Sequence, residues 1–589
     1  MSADLQTIGQ RRRIAWLAVV LGVAGIVLLA RLAGWQLFPH PEVTEQTNLG
    51  YSSSIQATRG SILDANGEYL AVSTVHYDLG LSPNLLSDKQ KEEYAPLLAA
   101  ALSLSPEDTI TPTLMLEKIS RTDTLYVPLG SDLPAEVGQA IEEMESNGQL
   151  VLDAFKLELT TARIYPDGGL AAHVLGFLQR EAQGEDAREA TGYYGLEEYY
   201  NTQLGGEDGS WEGVGDSWGK LVLASLNGYQ PAHDGADLVL TLDRNIQYEA
   251  ERILREGMEE NKASSGTLVV VDPRTGGVLA MANAPGYSPG DYQNVDSSSL
   301  YINSAVSSIY EPGSVFKALT LAAALDAQVI RSTDTYDDRG ELTIGGRTIY
   351  NADREAHGVT TMTGLLAHSY NVGAAHVAVL LGPTRFYEAM RRFGIGEKTG
   401  IDLAHEVAGI MRVPTDSTWQ MSDLGTNSYG QGVATTPLQV VMAYAALAND
   451  GVLMRPYIVS EIRDGDNVQV TEPVTVRHAV SAETAQAISQ MLVEAVRTGM
   501  PQAMVEGYNL AGKSGTAGIA DSEGYSSADV VASFIGYGPV PDARFVILVK
   551  YEKPQEDIWG VEVAAPAFAE MAAFLLDYYG IPPTNSTTP

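Results

Sequence analysis

The chain has 589 residues, 45% of them hydrophobic and 19% charged, so it can build sizeable cores and is long enough for two or three domains. Its 37 lysines and arginines face 74 aspartates and glutamates, and the net charge of -37 argues against binding of nucleic acid, whose phosphates it would repel. We interpret this acidity as a solvated surface. The sequence contains no cysteine, which excludes disulfides, thiolate metal sites and cysteine nucleophiles.

The N-terminal region carries a membrane signal. Three arginines, residues 11–13, precede seventeen uncharged residues that begin at Ile14, and the apolar character resumes after Arg31. This pattern predicts one tilted transmembrane helix over residues 14–38, with residues 1–13 in the bacterial cytoplasm and the rest of the chain outside it. A cleavable signal peptide is the alternative, but its apolar region would be unusually long and no clear small-x-small cleavage site follows.

Residues 39–238 have the pattern of short strands and loops rich in glycine and aspartate, without a catalytic cluster. Helical patches are expected at residues 92–102 and 133–145. The segments around Arg59 and Glu197 combine turn glycines with an isolated charge. For these segments we predict tight turns and buried charge partners.

The pattern changes after Leu238, and residues 239–580 are expected to form one mixed α/β domain. Its strands lie at both ends with helices between them, so the terminal strands should share one sheet. The last residues, 581–589, are polar and are expected to be disordered. The expected strands are 239–242, 266–272, 277–282, 532–535 and 545–551, and the expected helices are 246–255, 314–327, 362–381, 384–393, 437–449 and 564–578.

A serine and a lysine three residues apart, Ser314-Val-Phe-Lys317, open the expected helix 314–327. Pro312 and Gly313 stop whatever precedes them, so Ser314 falls in the first turn of the helix. Residues three apart share a helix face, which places the Lys317 amine beside the Ser314 hydroxyl. The pair is therefore a candidate nucleophile with a candidate base.

The same pattern recurs at Ser217-Trp-Gly-Lys220, where it overlaps a Gly-x-Ser-x-Gly sequence typical of a nucleophile elbow. Such an elbow needs a buried strand before the serine and a helix after it. Here residues 206–219 are rich in glycine and aspartate, and residues 221–223 indicate a strand. The context therefore favours Ser314 over Ser217.

Two further patterns follow in the order that serine acyl-transfer enzymes with a lysine partner use. Ser369-Tyr-Asn371 lies between helical stretches, where a loop can present both side chains to a cleft. Lys513-Ser-Gly-Thr516 opens a run of small residues that leaves a strand edge bare for a substrate. A rival Lys-Thr-Gly at Lys398 is flanked by glycines and follows Asn371 much more closely, so we prefer Lys513.

These residue types suit acyl transfer. Ser314 becomes a nucleophile once a base removes its proton, and Lys317 can do so only when it is neutral. Burial and repulsion from a second cation such as Lys513 both favour the neutral amine. Ser369 can relay a proton toward the leaving amine, and Asn371 can bind a substrate amide while it holds the Lys317 side chain.

The run that begins at Lys513 is the candidate substrate strand. Lys513 offers a positive charge to a substrate carboxylate, and the backbone amides of Ser314 and Thr516 can receive the developing oxyanion. The small residues of the same run are candidate substrate contacts: Ser514, Gly515 and Ala517.

Other chemistries fit the sequence less well. Of its nine histidines, His368 and His376 are eight residues apart and form no His-Glu-x-x-His zinc motif, so we expect structural roles for them. The sequence has no Gly-x-x-x-x-Gly-Lys-Ser/Thr phosphate loop. A histidine-based triad stays open, although nothing in the sequence pairs a histidine with Ser314. We expect neither a metal nor a cofactor.

Further motifs accompany the three catalytic patterns: Arg59-Gly-Ser-Ile-Leu-Asp, Gly195-Leu-Glu197, Leu240-Thr-Leu-Asp243, Asp272-Pro-Arg-Thr-Gly276, Tyr310-Glu311-Pro-Gly-Ser314, Tyr429-Gly-Gln-Gly432, Thr436-Pro-Leu-Gln439, Ser533-Phe-Ile-Gly536 and Ala564-Ala-Pro566. Together they resemble the class B penicillin-binding proteins, which are membrane-anchored peptidoglycan D,D-transpeptidases, and most of all their division-specific septal subgroup. The resemblance covers nearly the whole chain. Ser514 is a mild departure, since many relatives have threonine there.

The resemblance implies an elongated α+β pedestal, or dimerisation, domain over residues 39–238. Residues 239–580 would form a penicillin-binding transpeptidase domain, similar to serine β-lactamases, with a central antiparallel sheet flanked by helices. Ser314 would attack the D-Ala-D-Ala bond of a stem peptide, D-Ala would leave, and an amine of a neighbouring stem would resolve the acyl-enzyme. β-Lactams would acylate the same serine. The implied partners are a polytopic membrane glycosyltransferase and other divisome proteins.

Other functions stay open beside the septal transpeptidase. One is an elongation-type transpeptidase, because the septal assignment rests on the Tyr310 to Ser314 motif and the C-terminal motifs alone. A second is a D,D-carboxypeptidase or β-lactamase, in which water replaces the acceptor amine. A third is a non-enzymatic β-lactam sensor or scaffold. A glycosyltransferase activity in the same chain is not expected, since residues 39–238 lack an acidic Glu-Asp-x-x-Phe-like pattern.

Overall fold

The computed structural model describes residues 15–31, 50–103, 110–180, 190–214, 227–521 and 524–583. The predicted cytoplasmic tail, the rival motif at Ser217 and residues 584–589 of the predicted disordered tail lie outside these ranges. The chain divides into two compact units, Met1–Ala57 with Glu207–Asp234, and Thr58–Gly206 with Gly235–Pro589. All the candidate site residues belong to the second unit.

The strands and helices are numbered in chain order. The strands are β1 (Gly50–Ile55), β2 (Ile62–Leu63), β3 (Tyr69–Leu81), β4 (Val127–Pro134), β5 (Phe155–Ile164), β6 (Phe177–Arg180), β7 (Ala190–Tyr193), β8 (Gly209–Val214), β9 (Asn227–Gln230), β10 (Asp237–Leu240), β11 (Ser265–Val271), β12 (Val278–Ala284), β13 (Thr335–Asp338), β14 (Glu341–Ile344), β15 (Arg347–Tyr350), β16 (Gly358–Thr361), β17 (Ile410–Met411), β18 (Val433–Ala434), β19 (Val452–Met454), β20 (Val459–Asp464), β21 (Asn467–Val470), β22 (Thr475–His478), β23 (Ala511–Asp521), β24 (Gly524–Gly538) and β25 (Phe545–Glu552). The helices are α1 (residues 15–31), α2 (Asp88–Leu102), α3 (Pro112–Ile119), α4 (Ala135–Ser146), α5 (Ala172–Leu175), α6 (Gly195–Tyr199), α7 (Asn201–Gly205), α8 (Arg244–Asn261), α9 (Ser304–Ser307), α10 (Phe316–Asp326), α11 (Met362–His368), α12 (Asn371–Leu381), α13 (Pro383–Arg392), α14 (Met421–Asn427), α15 (Pro437–Ala448), α16 (Ala482–Gly499), α17 (Gly560–Val563) and α18 (Ala565–Tyr578).

The first unit contains α1 and a three-stranded antiparallel sheet of order β1-β8-β9. Helix α1 covers only part of the predicted transmembrane segment 14–38, whose other residues are not among those described. Within the described ranges, no helix combines the length and the apolar character needed to cross a membrane. The transmembrane anchor stays a prediction.

In the second unit, a seven-stranded sheet joins strands from both sides of residue 238. Its order is β21-β20-β10-β2-β3-β4, and β5 also pairs with β3. The expected helical patches 92–102 and 133–145 are confirmed as α2 and α4, which pack with α3 into an apolar core. This sheet includes strands from both sides of residue 238. The domain boundary predicted there stays a prediction.

The segments around Arg59 and Glu197 meet in the second unit, where their charged side chains pair with each other. Arg59 Nε donates to Glu197 Oε2 at 2.7 Å, and Arg163 Nε on β5 donates to Glu197 Oε1 at 2.8 Å. All three side chains are buried. The prediction of buried charge partners is therefore confirmed.

The C-terminal part of the second unit is built on a five-stranded antiparallel sheet of order β12-β11-β25-β24-β23. The pairing of β11 with β25 confirms that strands from the two ends of this region share one sheet. Helices α8 and α18 pack against the sheet and against each other, and α15 packs against β11, β24 and β25. Strand β23 lies at the sheet edge, so one side of it is left for other contacts.

Local sequence explains why α15 is an interior helix. Pro437 occupies its first turn, and Thr436 and Gln439 cap it reciprocally, each side chain accepting from the other's backbone amide. Residues 437–447 are all buried, which fits a helix that is apolar on every side. Such a helix can support the centre of the domain. The mixed α/β fold class is confirmed.

Several helices differ from the expectation. The expected helix 362–381 is two helices, because α11 ends at His368 and α12 begins at Asn371. The expected helix 314–327 begins as a 3-10 turn, Gly313–Val315, before α10. Helix α16 was not expected, although Ser481 caps it by accepting a hydrogen bond from the backbone of Thr484.

Candidate functional site

Ser314 lies in the 3-10 turn that leads into α10. Gly313 before it has a φ of 59°, a left-handed conformation that glycine adopts without steric cost. A Cβ on Gly313 would lie 3.1 Å from the carbonyl oxygen of Thr516, so glycine lets the turn approach β23. The hydroxyl of the buried Tyr444 donates to the Val315 carbonyl at 2.6 Å and holds the turn from the interior.

Lys317 is fully buried, and its Nζ is within hydrogen-bonding distance of four oxygens. These are Ser314 Oγ at 2.9 Å, the Ser369 carbonyl at 2.5 Å, Ser369 Oγ at 3.0 Å and Asn371 Oδ1 at 2.8 Å. Asn371 Nδ2 donates to the Tyr350 carbonyl at 3.1 Å, and this bond orients Oδ1 toward the lysine. The predicted nucleophile, base and second motif therefore meet at one amine.

The Lys317 site suits a neutral amine. Burial lowers the pKa of Lys317 well below its ordinary value, and the positive charge of Lys513 lowers it further. A neutral amine has two N–H groups and one lone pair. The Ser369 carbonyl and Asn371 Oδ1 can accept hydrogen bonds from these two N–H groups. The lone pair is then left to accept a hydrogen bond from the Ser314 hydroxyl. The geometry is that of a base poised beside a nucleophile.

Ser369 makes the break between α11 and α12. Its φ of 60° is uncommon for a residue other than glycine and costs on the order of 1 kcal/mol or more. This conformation brings both its carbonyl and its hydroxyl to Lys317 Nζ. Strained backbone of this kind occurs preferentially at functional sites.

The third predicted motif lies on the edge strand β23. Lys513 is fully buried, and burial lowers its pKa to about 7. Its Nζ donates to the Ser514 carbonyl at 3.0 Å. The hydroxyl oxygen of Thr516 accepts a hydrogen bond from the backbone of Gly560 at 3.0 Å, so the hydroxyl proton can still be donated to a substrate.

A cavity of about 570 Å³ lies between the serine turn, the Ser369 loop and β23. Lys317 and Lys513 are buried and are not among its lining residues, and neither are Gly515 and Ala517. A Cβ on Gly515 would lie 2.5 Å from Ser533 Oγ, so this residue faces the protein interior. The predicted residues that line the cavity are Ser314, Ser369, Asn371, Ser514 and Thr516.

The cavity wall also contains side chains to which the sequence analysis gave no role: Asp353, Tyr370, Tyr429, Gln431, Met500 and Trp559. The ring centroid of Tyr429 lies 5.9 Å from Lys317 Nζ. Glu311 accepts from the Gly432 backbone at 2.9 Å, which fastens the tyrosine's loop to the segment before the nucleophile. The motif from Tyr429 to Gly432 was the signal that could have found this tyrosine.

A rival lysine and two histidines were also considered in the sequence, and their positions differ. Lys398 lies in the glycine-rich turn after α13 and does not line the cavity. His368 does line it, with its ring tilted against Tyr370, whereas His376 stacks on Tyr336. Over the described part of the chain, no group of histidine and carboxylate side chains is arranged to hold a metal.

Comparison with protein families matches both halves of the chain. Residues 266–573 match the penicillin-binding protein transpeptidase domain, and residues 54–240 match the penicillin-binding protein dimerisation domain. The first match alone covers more than half of the chain and contains all three catalytic patterns.

Known proteins resemble the chain over nearly its full length. Stage V sporulation protein D of Bacillus subtilis is 31% identical over 587 residues, which cover 98% of this chain and 87% of that protein. The probable peptidoglycan D,D-transpeptidase PbpC of Pseudomonas aeruginosa is 30% identical over 584 residues, covering 98% of this chain and 97% of PbpC.

Solved structures agree with these relatives. Penicillin-binding protein 3 of Mycobacterium tuberculosis, in complex with aztreonam, superposes with a TM-score of 0.67 at 28% identity, covering 90% of this chain and 98% of that one. A peptidoglycan synthetase of Bifidobacterium adolescentis superposes with a TM-score of 0.71 at 25% identity, covering 92% and 98%.

Proposed function

The chain belongs to the class B penicillin-binding proteins and is a peptidoglycan D,D-transpeptidase, and on this premise we propose that Ser314 forms its acyl-enzyme during septal cell-wall synthesis. The observation that carries the assignment of the nucleophile is the position of Lys317 Nζ, 2.9 Å from Ser314 Oγ. Its two other motif partners, Ser369 and Asn371, bind the same amine.

In the acylation step, neutral Lys317 takes the proton of Ser314 while Oγ bonds to the carbonyl carbon of the penultimate D-Ala. The carbonyl oxygen becomes an oxyanion, and the backbone amides of Ser314 and Thr516 stabilise it. The C–N bond then breaks, and the proton held by Lys317 passes through Ser369 to the departing D-Ala amine. Lys513 provides the positive charge for the terminal carboxylate of the donor.

Deacylation runs the same proton path in reverse. The amine of a second stem peptide attacks the acyl carbon, a new amide bond forms, and Ser314 Oγ leaves with a proton returned by Lys317. β-Lactams would acylate the same serine. Their opened ring would stay attached, because the amine freed by ring opening remains part of the same molecule and does not depart.

Covalent labelling by a fluorescent penicillin tests the assignment of the nucleophile. The wild-type protein should label and the Ser314→Ala variant should not, and a variant that still labels would rule out this serine. Product analysis with and without an acceptor amine tests the reaction: transpeptidation requires an amide product in its presence. Hydrolysis alone would instead identify a D,D-carboxypeptidase.

The cellular setting is part of the same proposal. Residues 11–13 and the uncharged run after Ile14 support a single membrane anchor over residues 14–38, with the catalytic unit outside the cytoplasm. The Tyr310 to Ser314 motif supports a septal role, with a polytopic membrane glycosyltransferase and divisome proteins as partners. A fluorescent fusion should concentrate at the division site, and a uniform side-wall distribution would favour elongation instead.

A further inference from the structure

Asp353 gives the cavity wall its fixed charge. It lies in the loop between β15 and β16, and among the described lining residues it is the only carboxylate, while no lysine or arginine lines the cavity. The donor's terminal carboxylate would be repelled by this group and fits the Lys513 side instead. Asp353 therefore suits a different, cationic ligand.

The carboxylate of Asp353 is held by two neighbouring residues, and one of them contacts the loop that contains Ser369 and Asn371. Its Oδ1 accepts from the Glu355 backbone at 3.0 Å, and its Oδ2 lies 2.9 Å from His357 Nε2. The His357 ring stacks on Tyr370, the residue between Ser369 and Asn371, with ring centroids 4.1 Å apart.

These contacts also keep Asp353 ionised. The Glu355 amide and His357 hold the pKa of the Asp353 carboxyl below its ordinary value. Its side chain is 47% exposed, so an arriving ligand can reach it. The neighbouring Arg354 does not neutralise it, because its guanidinium packs over the Tyr350 ring, 5.3 Å from the centroid. A negative charge is thus present on the cavity wall.

The second substrate of a transpeptidase is an amine, and a primary alkyl amine has a pKa of about 10 and is a cation at neutral pH. We propose that Asp353, positioned by His357 and Tyr370, binds the ammonium group of the acceptor stem peptide. This inference rests on the proposed acyl-enzyme at Ser314. Asp353 raises the occupancy of the acceptor next to the acyl group, which favours aminolysis over hydrolysis.

Asp353 takes no part in bond making. The bound ammonium releases one proton to water, and the free amine attacks the acyl carbon. The C–N bond forms as the C–Oγ bond to Ser314 breaks, and the second amine proton reaches Oγ through Lys317. Asp353 is a weak base and acts only by its charge.

The test measures how one acyl-enzyme divides between water and two added acceptors. The donor is a diacetyl-L-Lys-D-Ala-D-lactate depsipeptide, whose side-chain amine is blocked, and the acceptors are glycinamide, a cation, and methanol, which is neutral. For Asp353→Asn we expect the ratio of aminolysis to hydrolysis to fall about tenfold, while the ratio of methanolysis to hydrolysis stays the same. Both ratios are independent of the acylation rate.

Two further variants sharpen the result. Asp337→Asn removes an exposed aspartate that pairs with Arg339 and does not line the cavity, so it should leave both ratios unchanged. Asp353→Glu keeps the charge and should retain most of the aminolysis. An unchanged aminolysis ratio in Asp353→Asn, or an equal fall with methanol, would overturn the proposal.

A second donor, which has a free lysine side chain, shows whether Asp353 binds the ammonium group of the acceptor or that of the donor. If Asp353→Asn lowers only the kcat/KM of that donor and not the aminolysis ratio, the carboxylate binds the donor's amine and the acceptor assignment is wrong. Failure of the wild-type protein to form any acyl-enzyme would instead refute the proposed function at Ser314.

Discussion

At the scale of single residues, the site depends on two buried lysines with opposite requirements. Lys317 must be neutral to take the proton of Ser314, whereas Lys513 must be cationic to attract a carboxylate. Burial lowers the pKa of both, and the repulsion between them acts on Lys317 as well. We therefore expect Lys317 to be neutral and Lys513 to carry the positive charge of the pair.

The pH profile of acylation should report Lys513. Its pKa of about 7 means that the free enzyme loses this positive charge as the pH rises through neutrality. We expect kcat/KM for acylation by penicillin to fall above about pH 7. In Lys513→Arg the falling limb should disappear, because a guanidinium stays protonated. A wild-type profile that is flat from about pH 6 to 9 would contradict the role of Lys513.

Removal of the base, Lys317, should slow acylation strongly. Lys317→Met keeps the apolar stem and deletes the amine that binds Ser314 Oγ. We expect the acylation rate constant to fall by about 10²- to 10⁴-fold, the usual contribution of a general base. The control is Lys398→Met in the rival motif, which should acylate normally. Comparable losses in the two variants would contradict the assignment.

At the scale of elements, the segments that form the site approach each other closely through their backbones. The serine turn, β23 and α17 meet at glycines, and a Cβ on Gly560 would lie 2.2 Å from the Gly515 carbonyl oxygen and 2.4 Å from that of Ser533. Both contacts are to backbone, so they cannot be relieved by rotating a side chain. The position of β23 therefore depends on Gly560.

Gly560→Ala should displace the edge strand. A shift of about 1 Å in Thr516 relative to Ser314 is expected to slow acylation by about 10²-fold, because rate depends steeply on alignment. Gly290→Ala is the matched control, since a Cβ there meets nothing within 4 Å. Labelling by fluorescent penicillin, followed over time, measures both. Equal labelling rates would show that β23 is not held by this contact.

The elements also show what sequence could predict. Ser314 at the start of a helix, the shared sheet of β11 and β25, and the edge position of β23 all follow from local pattern. The break at Ser369 follows only in part, because the motif was placed between helical stretches while a single helix was expected over residues 362–381. The φ of 60° at this serine is stabilised by contacts with Lys317, which is 52 residues away. Asp353 and Trp559 were missed for the same reason: only the tertiary fold brings their loops to the cavity.

At the scale of the whole molecule, the buried cluster of Arg59, Arg163 and Glu197 ties distant parts of the second unit together. Arg59 precedes β2, Arg163 lies on β5 and Glu197 lies on α6, and Arg163 also donates to the Gly60 carbonyl at 2.7 Å. Desolvation would raise the pKa of Glu197, but the two guanidinium groups outweigh it and the pKa is lowered. The cluster is ionised and fully within protein.

Glu197→Gln should therefore destabilise the protein strongly. It leaves two buried guanidinium groups without a counter-charge, and removal of one partner from a buried ion pair typically costs about 3–5 kcal/mol. The loss should appear as a lower melting temperature in calorimetry. The matched control is Glu494→Gln, whose pair with Arg497 lies on the surface of α16 and should contribute little. If both variants melt at the same temperature, the cluster does not hold these elements together.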